Sequence, residues 1–496
     1  MKLVKSIKDF FNESFENKLF IVLMLFSFIL LVYYFTKTYT QALWFDEADY
    51  MNFSNFLAFS RPEWSLGAVR PPLLSLIGAL FFKIGFGEFG LRLFEGLCYL
   101  INLILVYFIG RELFDKKAAL IASLLTAIFW SHLFFSFRLL TDVPVLTFWL
   151  LTIFLFIKGY IIKKRIYLLL LIPVMVIGFF MKYTNALVAI LILLYLIITE
   201  RFNWIKNKDL WKSTGLSLIL LIPFFIFQYI YYGSPFAFLT ASFVGRTTLG
   251  RSFFQSLIDH IKFFFNTDSL GIVLVILSIL SIIFLLQIFL GIDLILKNKD
   301  KNLNNKLFLF LWLIITLLFA AKLGYGLYIE ERYYFNFYIA LFLTIGLFLS
   351  YVYDSLRKYD KYSPVMIVGL LLLFSVSFNI SRADDLINIK ADSFKEVKIA
   401  GQFLEKNLAR DEYFLSPATS AELQYHSKRR NLPVPITDIV SNNKIKYVVY
   451  SAFNPIPEDF TSFIQNNKEI FKPIIAIPFG QDKSQNAVII FEVVRS

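Results

Sequence analysis

The sequence contains very little cysteine and histidine. Cys98 is the single cysteine and lies in an apolar run, so an intrachain disulfide is excluded. The three histidines, at positions 132, 260 and 426, are far apart, and no two cysteines stand at zinc-ligand spacing. A zinc site of the usual sequence type is therefore not expected.

Charged residues are also scarce. They make up 17% of the 496 residues, against about a quarter in soluble globular proteins, whereas 58% of the residues are hydrophobic and the mean hydropathy is +0.65. This composition excludes a soluble globular enzyme and predicts a polytopic α-helical membrane protein. The 59 Phe and 26 Tyr fit lipid-facing surfaces and interfacial belts, and not a nucleic-acid platform.

About eleven apolar runs are long enough, or nearly long enough, to cross a bilayer. They lie at residues 19–35, 91–109, 118–136, 143–158, 166–181, 184–199, 213–232, 270–292, 307–321, 333–351 and 364–380. The first run has no convincing small-residue cleavage site after it, which predicts an uncleaved span.

Lysine and arginine concentrate in alternate connections between these runs, which the positive-inside rule places in the cytoplasm with the N-terminus. Those bases are Arg111, Lys116, Lys117, Lys158, Lys163, Lys164, Arg165, Arg201, Lys206, Lys208, Lys212, Lys297, Lys299, Lys301, Lys306, Arg357, Lys358 and Lys361. The connections 36–90, 137–142, 233–269 and 322–332 then face outside, as does the C-terminus. We expect a multi-pass protein of the cell membrane.

The composition changes after residue 380. Residues 1–380 are predicted to form the transmembrane domain, and residues 381–496 a small extracytoplasmic α/β domain. Helical periodicity covers 394–408, and short strands are predicted at 412–415, 446–450, 474–478 and 487–494. Residues 71–84 are apolar but too short for a span, which favours an interfacial or re-entrant helix in the first outer loop.

Two adjacent carboxylates follow the first span, in Trp44-Phe45-Asp46-Glu47. The aromatic neighbours are typical of a membrane interface, so both acids are expected near the headgroup layer on the outer side. A carboxylate at this depth can stay ionised and still take a proton from an attacking alcohol. The alternative is a pair of solvated loop acids.

Three basic residues are expected on the same side, where bases are otherwise scarce. Arg70 precedes two prolines, Lys182 lies in a tight connection and Arg332 opens the tenth span. Cations at this depth suit the binding of a phosphate, and the fork of an arginine suits it best. Arg70 could instead anchor a surface helix, and Lys182 could snorkel to the interface.

Asp142, Glu331 and Tyr333 complete the candidate site. Asp142 precedes Pro144 at the start of a span, where it fits a helix N-cap as well as a site residue, and the two roles are compatible. Glu331 and Tyr333 flank Arg332, where an aromatic ring also fits the interfacial belt.

Five short motifs, taken in order, resemble the GT-C superfamily of glycosyltransferases. They are the acid pair at 46–47, Arg70-Pro71-Pro72-Leu73 with the run ending Gly90-Leu91-Arg92-Leu93, Thr141-Asp142-Val143-Pro144, Lys182-Tyr183-Thr184 and Glu331-Arg332-Tyr333. The branch they resemble holds protein O-mannosyltransferases, the aminoarabinose transferase of lipid A and lipopolysaccharide galacturonosyltransferases. The outer domain is also similar to the α/β tails of prokaryotic members.

The resemblance implies an inverting transfer, on the outer face, of a sugar from a polyprenyl-phosphate donor to an acceptor hydroxyl of a protein, lipid or glycan. Asp46 would be the general base, and Glu47 would orient a substrate. The donor phosphate would be bound by Arg70, Lys182 and Arg332. Asp142 would contact the sugar or support these cations, and Glu331 and Tyr333 would contact a substrate.

The resemblance leaves a metal cofactor open. The aminoarabinose transferase has an acidic residue and a metal at the position of Val69, so the sequence departs from that pattern here. Arginine and lysine alone can hold a departing phosphate, and the predicted reaction requires no metal.

Other classes of function also remain open. A transporter or lipid flippase would place its substrate near the bilayer midplane on broken helices, whereas the charges here lie at span ends. A non-catalytic assembly subunit would tolerate loss of both Asp46 and Glu47. An oligosaccharide ligase or polymerase is a variant of the enzyme hypothesis.

Overall fold

The computed structural model describes residues 13–495 except 61, 65, 244–251, 292–293, 296–299, 324–328 and 481. Two of the bases that orient the chain, Lys297 and Lys299, lie outside the described residues. Parts of the predicted outer connections 233–269 and 322–332 lie outside them as well.

The chain forms a helical bundle followed by a small sheet with its own helices. In chain order the first helices are α1 (Phe15–Thr38), α2 (Phe45–Phe59), α3 (Leu73–Lys83), α4 (Gly87–Leu113), α5 (Lys116–Ile128), α6 (Trp130–Phe135), α7 (Asp142–Phe156), α8 (Arg165–Met181), α9 (Leu187–Glu200) and α10 (Lys208–Tyr232). They are followed by α11 (Ala237–Phe243), α12 (Phe253–Phe264), α13 (Thr267–Leu270), α14 (Ile272–Leu285), α15 (Lys301–Leu323), α16 (Phe335–Arg357), α17 (Ser363–Lys390), α18 (Lys395–Asn407), α19 (Ser420–Ser427) and α20 (Glu458–Asn466).

Within the described residues, nine helices are long and apolar enough to cross a membrane. They confirm a multi-pass helical membrane protein and nine of the predicted spans. Of the other two predicted spans, one is α8, a shorter apolar helix. The short helix α3 fills most of the stretch 71–84, where the sequence predicts an interfacial or re-entrant helix.

The predicted span at 118–136 is divided into two helices, because the helix breaks at Phe129. The break leaves backbone groups without helical partners. The backbone N–H of Trp130 donates to Asn379 Oδ1 of α17 at 3.4 Å, and His132 Nδ1 contacts the Thr126 carbonyl at 3.2 Å. The side chains of Asn379 and His132 therefore stabilise the break, although no proline or glycine lies at this point of the sequence.

The bundle packs tightly around α5 and α16. At Gly346 of α16, a Cβ atom would lie 2.4 Å from the backbone oxygen of Ala118. A small residue therefore allows the two helices to approach closely, as at many membrane helix crossings.

The C-terminal sheet has the strand order β1-β2-β4-β3. Its strands are β1 (Tyr413–Leu415), β2 (Ile445–Ser451), β3 (Phe471–Phe479) and β4 (Asp482–Val493). The pair β1/β2 is parallel, and the pairs β2/β4 and β3/β4 are antiparallel. One face packs on α18 and α19 and the other on α20, which confirms the predicted small α/β unit. The two prolines of β3 lie on an edge strand, where proline is tolerated.

This α/β unit is joined to the bundle by helix α17 and by side-chain contacts. Helix α17 runs through residue 380, so the position of a domain boundary stays a prediction. Asn52 of α2 donates through Nδ2 to the backbone oxygen of Ala421 in α19 at 2.8 Å, and Lys37 of α1 pairs with Asp384 at 3.3 Å. The first contact brings α19 against the helix that carries the predicted acids.

Candidate active site

Asp46 lies between two arginines that come from distant parts of the chain. Its Oδ1 is 2.8 Å from Arg70 Nη2 and its Oδ2 is 3.3 Å from Arg332 Nη2. Burial alone would raise the pKa of Asp46, but the two guanidinium groups outweigh it and hold this pKa below its ordinary value. Asp46 is therefore ionised at neutral pH.

Arg70 also contacts a second acid, which the sequence analysis missed. Its Nε pairs with Asp49, one helical turn after Asp46, and Trp64 Nε1 donates to Asp49 Oδ1 at 2.8 Å. Burial raises the pKa of Asp49, since it outweighs the effects of Arg70 and of the Trp64 hydrogen bond. Asp46, Asp49, Arg70 and Arg332 thus form one ion-pair network.

Lys182 and Asp142 form a second pair beside this network, with Nζ 2.5 Å from Oδ1. The Tyr333 ring lies between the cations, with its centroid 4.9 Å from Lys182 Nζ and 4.8 Å from Arg332 Cζ. Its hydroxyl accepts a hydrogen bond from Arg332 Nη2 at 2.9 Å. These four side chains line one cavity of about 30 Å³.

Two residues that line this cavity carry polar atoms without partners. Trp149 Nε1 and Asn185 Oδ1 are buried and have no hydrogen-bond partner among the residues described. Since buried polar groups are usually paired, the cavity favours a polar occupant beside Lys182 and Arg332.

Glu47 lies apart from Asp46 although the two are adjacent in sequence. It has no exposed surface, and its Oε2 lies 2.6 Å from Arg138 Nη2. Its carboxylate also accepts the backbone N–H groups of Trp44 and Leu139, at 2.7 and 2.8 Å. This enclosure argues against the predicted contact of Glu47 with a substrate. We interpret Glu47 as a residue that positions the start of α2.

Glu331 also turns away from the cations. Its Oε1 accepts a hydrogen bond from the Ser269 hydroxyl at 2.8 Å, at the end of α13. The neighbouring Glu330 pairs with Arg332 Nε at 2.5 Å in its place. The structure therefore brings together six of the predicted residues: Asp142, Lys182, Arg332 and Tyr333 line the cavity, and Asp46 and Arg70 join it through Arg332. Glu47 and Glu331 lie apart from this group.

Glu422 of α19 faces this region from the C-terminal unit. It has no exposed surface, and neither carboxylate oxygen has a hydrogen-bond partner in the described part of the chain. Burial, and after it the negative charges of Asp46, Asp49 and Glu47, raise the pKa of Glu422 to about 7. Near neutral pH the Glu422 carboxyl is therefore protonated in part of the molecules and ionised in the rest.

Arg70 holds both acids of the ion-pair network. Within the described ranges, no group of three or more His, Cys, Asp or Glu side chains could hold a metal ion. Asp46 and Asp49 are both held by Arg70, so a divalent cation there would meet a guanidinium group. That the reaction requires no metal therefore stays a prediction.

Part of the chain matches a known protein family. The family model for dolichyl-phosphate-mannose-protein mannosyltransferase matches residues 69–227. This range contains Arg70, Asp142 and Lys182 of the candidate site. A search of curated proteins finds no match.

Solved structures match nearly the whole chain. ArnT from Cupriavidus metallidurans, bound to undecaprenyl phosphate, has a TM-score of 0.69 at 11% identity, over 96% of this chain and 98% of that one. The chain has the GT-C fold. This confirms the predicted fold class, a polytopic helical membrane protein of GT-C type with a small C-terminal α/β unit.

An archaeal enzyme shows the same fold. The oligosaccharyltransferase AglB from Archaeoglobus fulgidus, in complex with an inhibitory peptide and a dolichol-phosphate, has a TM-score of 0.62 at 15% identity. This GT-C protein covers 70% of the AglB chain, and 89% of its own length is matched. The family match and these structures support a glycosyltransferase over a transporter or flippase.

Proposed function

We propose that this protein is a membrane glycosyltransferase that moves a sugar from a polyprenyl-phosphate donor to an acceptor hydroxyl. The observation that carries the proposal is Asp46 held between Arg70 and Arg332 in a GT-C fold. ArnT bound to undecaprenyl phosphate and AglB in complex with dolichol-phosphate support the donor class. We place the site on the extracytoplasmic face of the cell membrane, with the N-terminus in the cytoplasm.

The donor phosphate is expected in the cavity beside Lys182 and Arg332. Both cations are now paired with carboxylates, Lys182 with Asp142 and Arg332 with Asp46 and Glu330. A phosphate offers stronger charge-assisted hydrogen bonds to a guanidinium than a single carboxylate oxygen at 3.3 Å. Donor binding should therefore draw Arg332 away from Asp46.

This exchange would prepare Asp46 as a base. Arg70 and Arg332 lower its pKa in the free protein, and a carboxylate with a low pKa is a poor proton acceptor. When the phosphate neutralises Arg332, the pKa of Asp46 rises and the carboxylate becomes a better base at the moment the donor is in place.

The transfer is a single displacement. The acceptor hydroxyl oxygen forms a bond to the anomeric carbon, and its proton passes to Asp46. The bond from the anomeric carbon to the phosphate oxygen breaks, and its electron pair leaves with the polyprenyl phosphate. Arg332 and Lys182 stabilise the negative charge that grows on this leaving group.

Substitution of Asp46 by Asn tests the proposal. Mass spectrometry of lipid that co-purifies with the full chain first identifies the donor, which we expect to be a polyprenyl phosphate sugar. With that donor radiolabelled, Asp46→Asn should slow transfer by roughly 10²- to 10⁴-fold and leave lipid binding intact.

Asp384→Asn is the matched control, because Asp384 is also an ion-paired acid but lies on α17 away from the cavity. Near-normal turnover by Asp46→Asn would remove Asp46 from the mechanism. Label that crosses a vesicle membrane without joining an acceptor would favour the transporter.

A further inference from the structure

A second and larger cavity lies between the bundle and the C-terminal unit. It measures about 500 Å³ and is bounded by α2, the connection before α3, the end of α10 and the region of α19. This volume falls in the range of roughly 300–1,000 Å³ typical of small-molecule sites. We call it the interdomain groove, and none of the predicted site residues lines it.

One side of the interdomain groove is aromatic. Phe53 and Phe56 of α2, Trp64 and the tyrosines 231 and 232 of α10 line it. Tyr231 is 60% exposed, although a tyrosine ring carries a large apolar face. Exposed rings gathered in a concave surface indicate a ligand with apolar faces of its own.

The opposite side carries polar side chains. Arg430 Nη1 pairs with Glu63 Oε2 at 3.2 Å, and Gln424 Nε2 donates to the Glu63 backbone oxygen at 3.3 Å. Both partners of the ion pair are well exposed, so the pair contributes little to stability and can rearrange around a ligand. Gln424 itself is buried and also accepts the Asn431 N–H, so the groups that the groove offers to ligand hydroxyls are the Arg430 guanidinium as donor and the Glu63 carboxylate as acceptor.

Trp64 links the interdomain groove to the ion-pair network. Its ring lines the groove, and its Nε1 donates to Asp49, which pairs with Arg70 beside Asp46. A ligand in the groove therefore lies one side chain away from the network that contains the proposed base.

We infer that the interdomain groove binds a saccharide unit of the acceptor. The C–H faces of a pyranose ring pack on aromatic rings, and its equatorial hydroxyls meet charged side chains such as those of Arg430 and Glu63. A peptide bound by strand addition would need a free strand edge, whereas the lining comes from α2, α10, α19 and the non-helical connections before α3 and after α19. The acceptor role rests on the proposed function; saccharide binding itself does not.

Tyr231 and Tyr229 provide a matched pair of variants. Both lie in the last turn of α10, and their exposed fractions are similar, 60% for Tyr231 and 63% for Tyr229. Of the two, Tyr231 lines the interdomain groove and Tyr229 does not. Neither belongs to the ion-pair network. Replacing either by alanine should therefore leave the fold intact, which thermal unfolding checks.

Saturation-transfer NMR measures binding by the full chain in lipid nanodiscs, since glycoside detergents would compete. The probes are methyl hexopyranosides, with a serine- and threonine-containing peptide as the rival. We expect saturation transfer to a glycoside, about fivefold weaker binding in Tyr231→Ala, and no change in Tyr229→Ala.

Saturation transfer to no glycoside, or equal transfer in both variants, would overturn the inference, and transfer to the peptide alone would assign the groove to a protein acceptor. Asp46→Asn separates the two proposals, because it should abolish sugar transfer and keep glycoside binding. If Asp46→Asn retains both, the proposed mechanism fails and the saccharide site stands.

Discussion

Asp46 and Glu47 are neighbours in the sequence but belong to two regions of different character. The side chain of Asp46 is 36% exposed and its partner Arg332 lines a cavity, whereas the side chains of Glu47 and Arg138 are at most 1% exposed. Successive residues on a helix point about 100° apart, so one acid faces the mouth of the site and the next faces the interior. The difference in burial therefore separates Asp46, which a substrate can reach, from Glu47, which stabilises the fold.

The strongest test of this contrast removes the buried acid. Glu47→Ala leaves the Arg138 guanidinium buried against the Trp44 ring, with its Cζ 3.7 Å from the ring centroid and no carboxylate partner. Breaking a buried ion pair costs about 3–5 kcal/mol. We expect a large loss of thermal stability, measured by the unfolding of the purified protein.

Asp46→Ala is the matched control for that loss. The ion pairs of Asp46 are partly exposed, and such pairs contribute about 1 kcal/mol or less. Equal losses in the two variants would mean that the two acids do not differ in the way described.

A second test concerns Arg332, one of the cations of the candidate site. Arg332→Ala should weaken donor binding and cost about 3–4 kcal/mol of transition-state stabilisation, by analogy with the loss of an oxyanion donor. Donor titration in the transfer assay measures both effects. Arg165→Ala is the control, since Arg165 pairs with Asp209 near the opposite end of α8 from Lys182. Unchanged donor affinity in Arg332→Ala would make Arg332 an anchor only.

A smaller effect on stability is expected from Glu422, the buried acid of the C-terminal unit. Its pKa is raised to about 7 from an ordinary value of 4.5, so between these pH values the folded state keeps a proton that the unfolded state has lost. Stability should therefore fall as the pH rises through this window, by at most roughly 3 kcal/mol.

Thermal unfolding between pH 4.5 and 8 measures this slope, and Glu422→Gln should flatten it. Glu405→Gln is the control in the same unit, because Glu405 is a partly exposed acid paired with Lys428. Parallel slopes in the wild type and in Glu422→Gln would assign the pH dependence to other groups.

The sequence predicts the helices better than their interruptions. Hydrophobic runs located the spans, but the break at Phe129 depends on Asn379, which lies 249 residues beyond Trp130. Local sequence contains no sign of such a partner. The breaks in a membrane helix are decided by the groups that other helices supply.

Some site residues could have been found and others could not. Asp49 stands one helical turn after Asp46, at a spacing that places both on one face. Arg138 is a base in a connection expected on the side poor in bases. Glu422 gives no such signal, because its place behind the network depends on how α19 packs against α2.

The continuity of α17 limits how the C-terminal unit can move. This helix has 28 residues and is about 42 Å long, so a continuous helix and not a flexible linker leads from the bundle to the C-terminal unit. A swing that widens the interdomain groove must pivot between α17 and α18, where Phe394 adopts a left-handed φ of 61°. Such a backbone costs a bulky residue about 1–2 kcal/mol, and the Phe394 ring is held against Phe453 at 4.8 Å. A rotation of the C-terminal unit relative to α17 would therefore have to change the backbone at Phe394 and break its contact with Phe453.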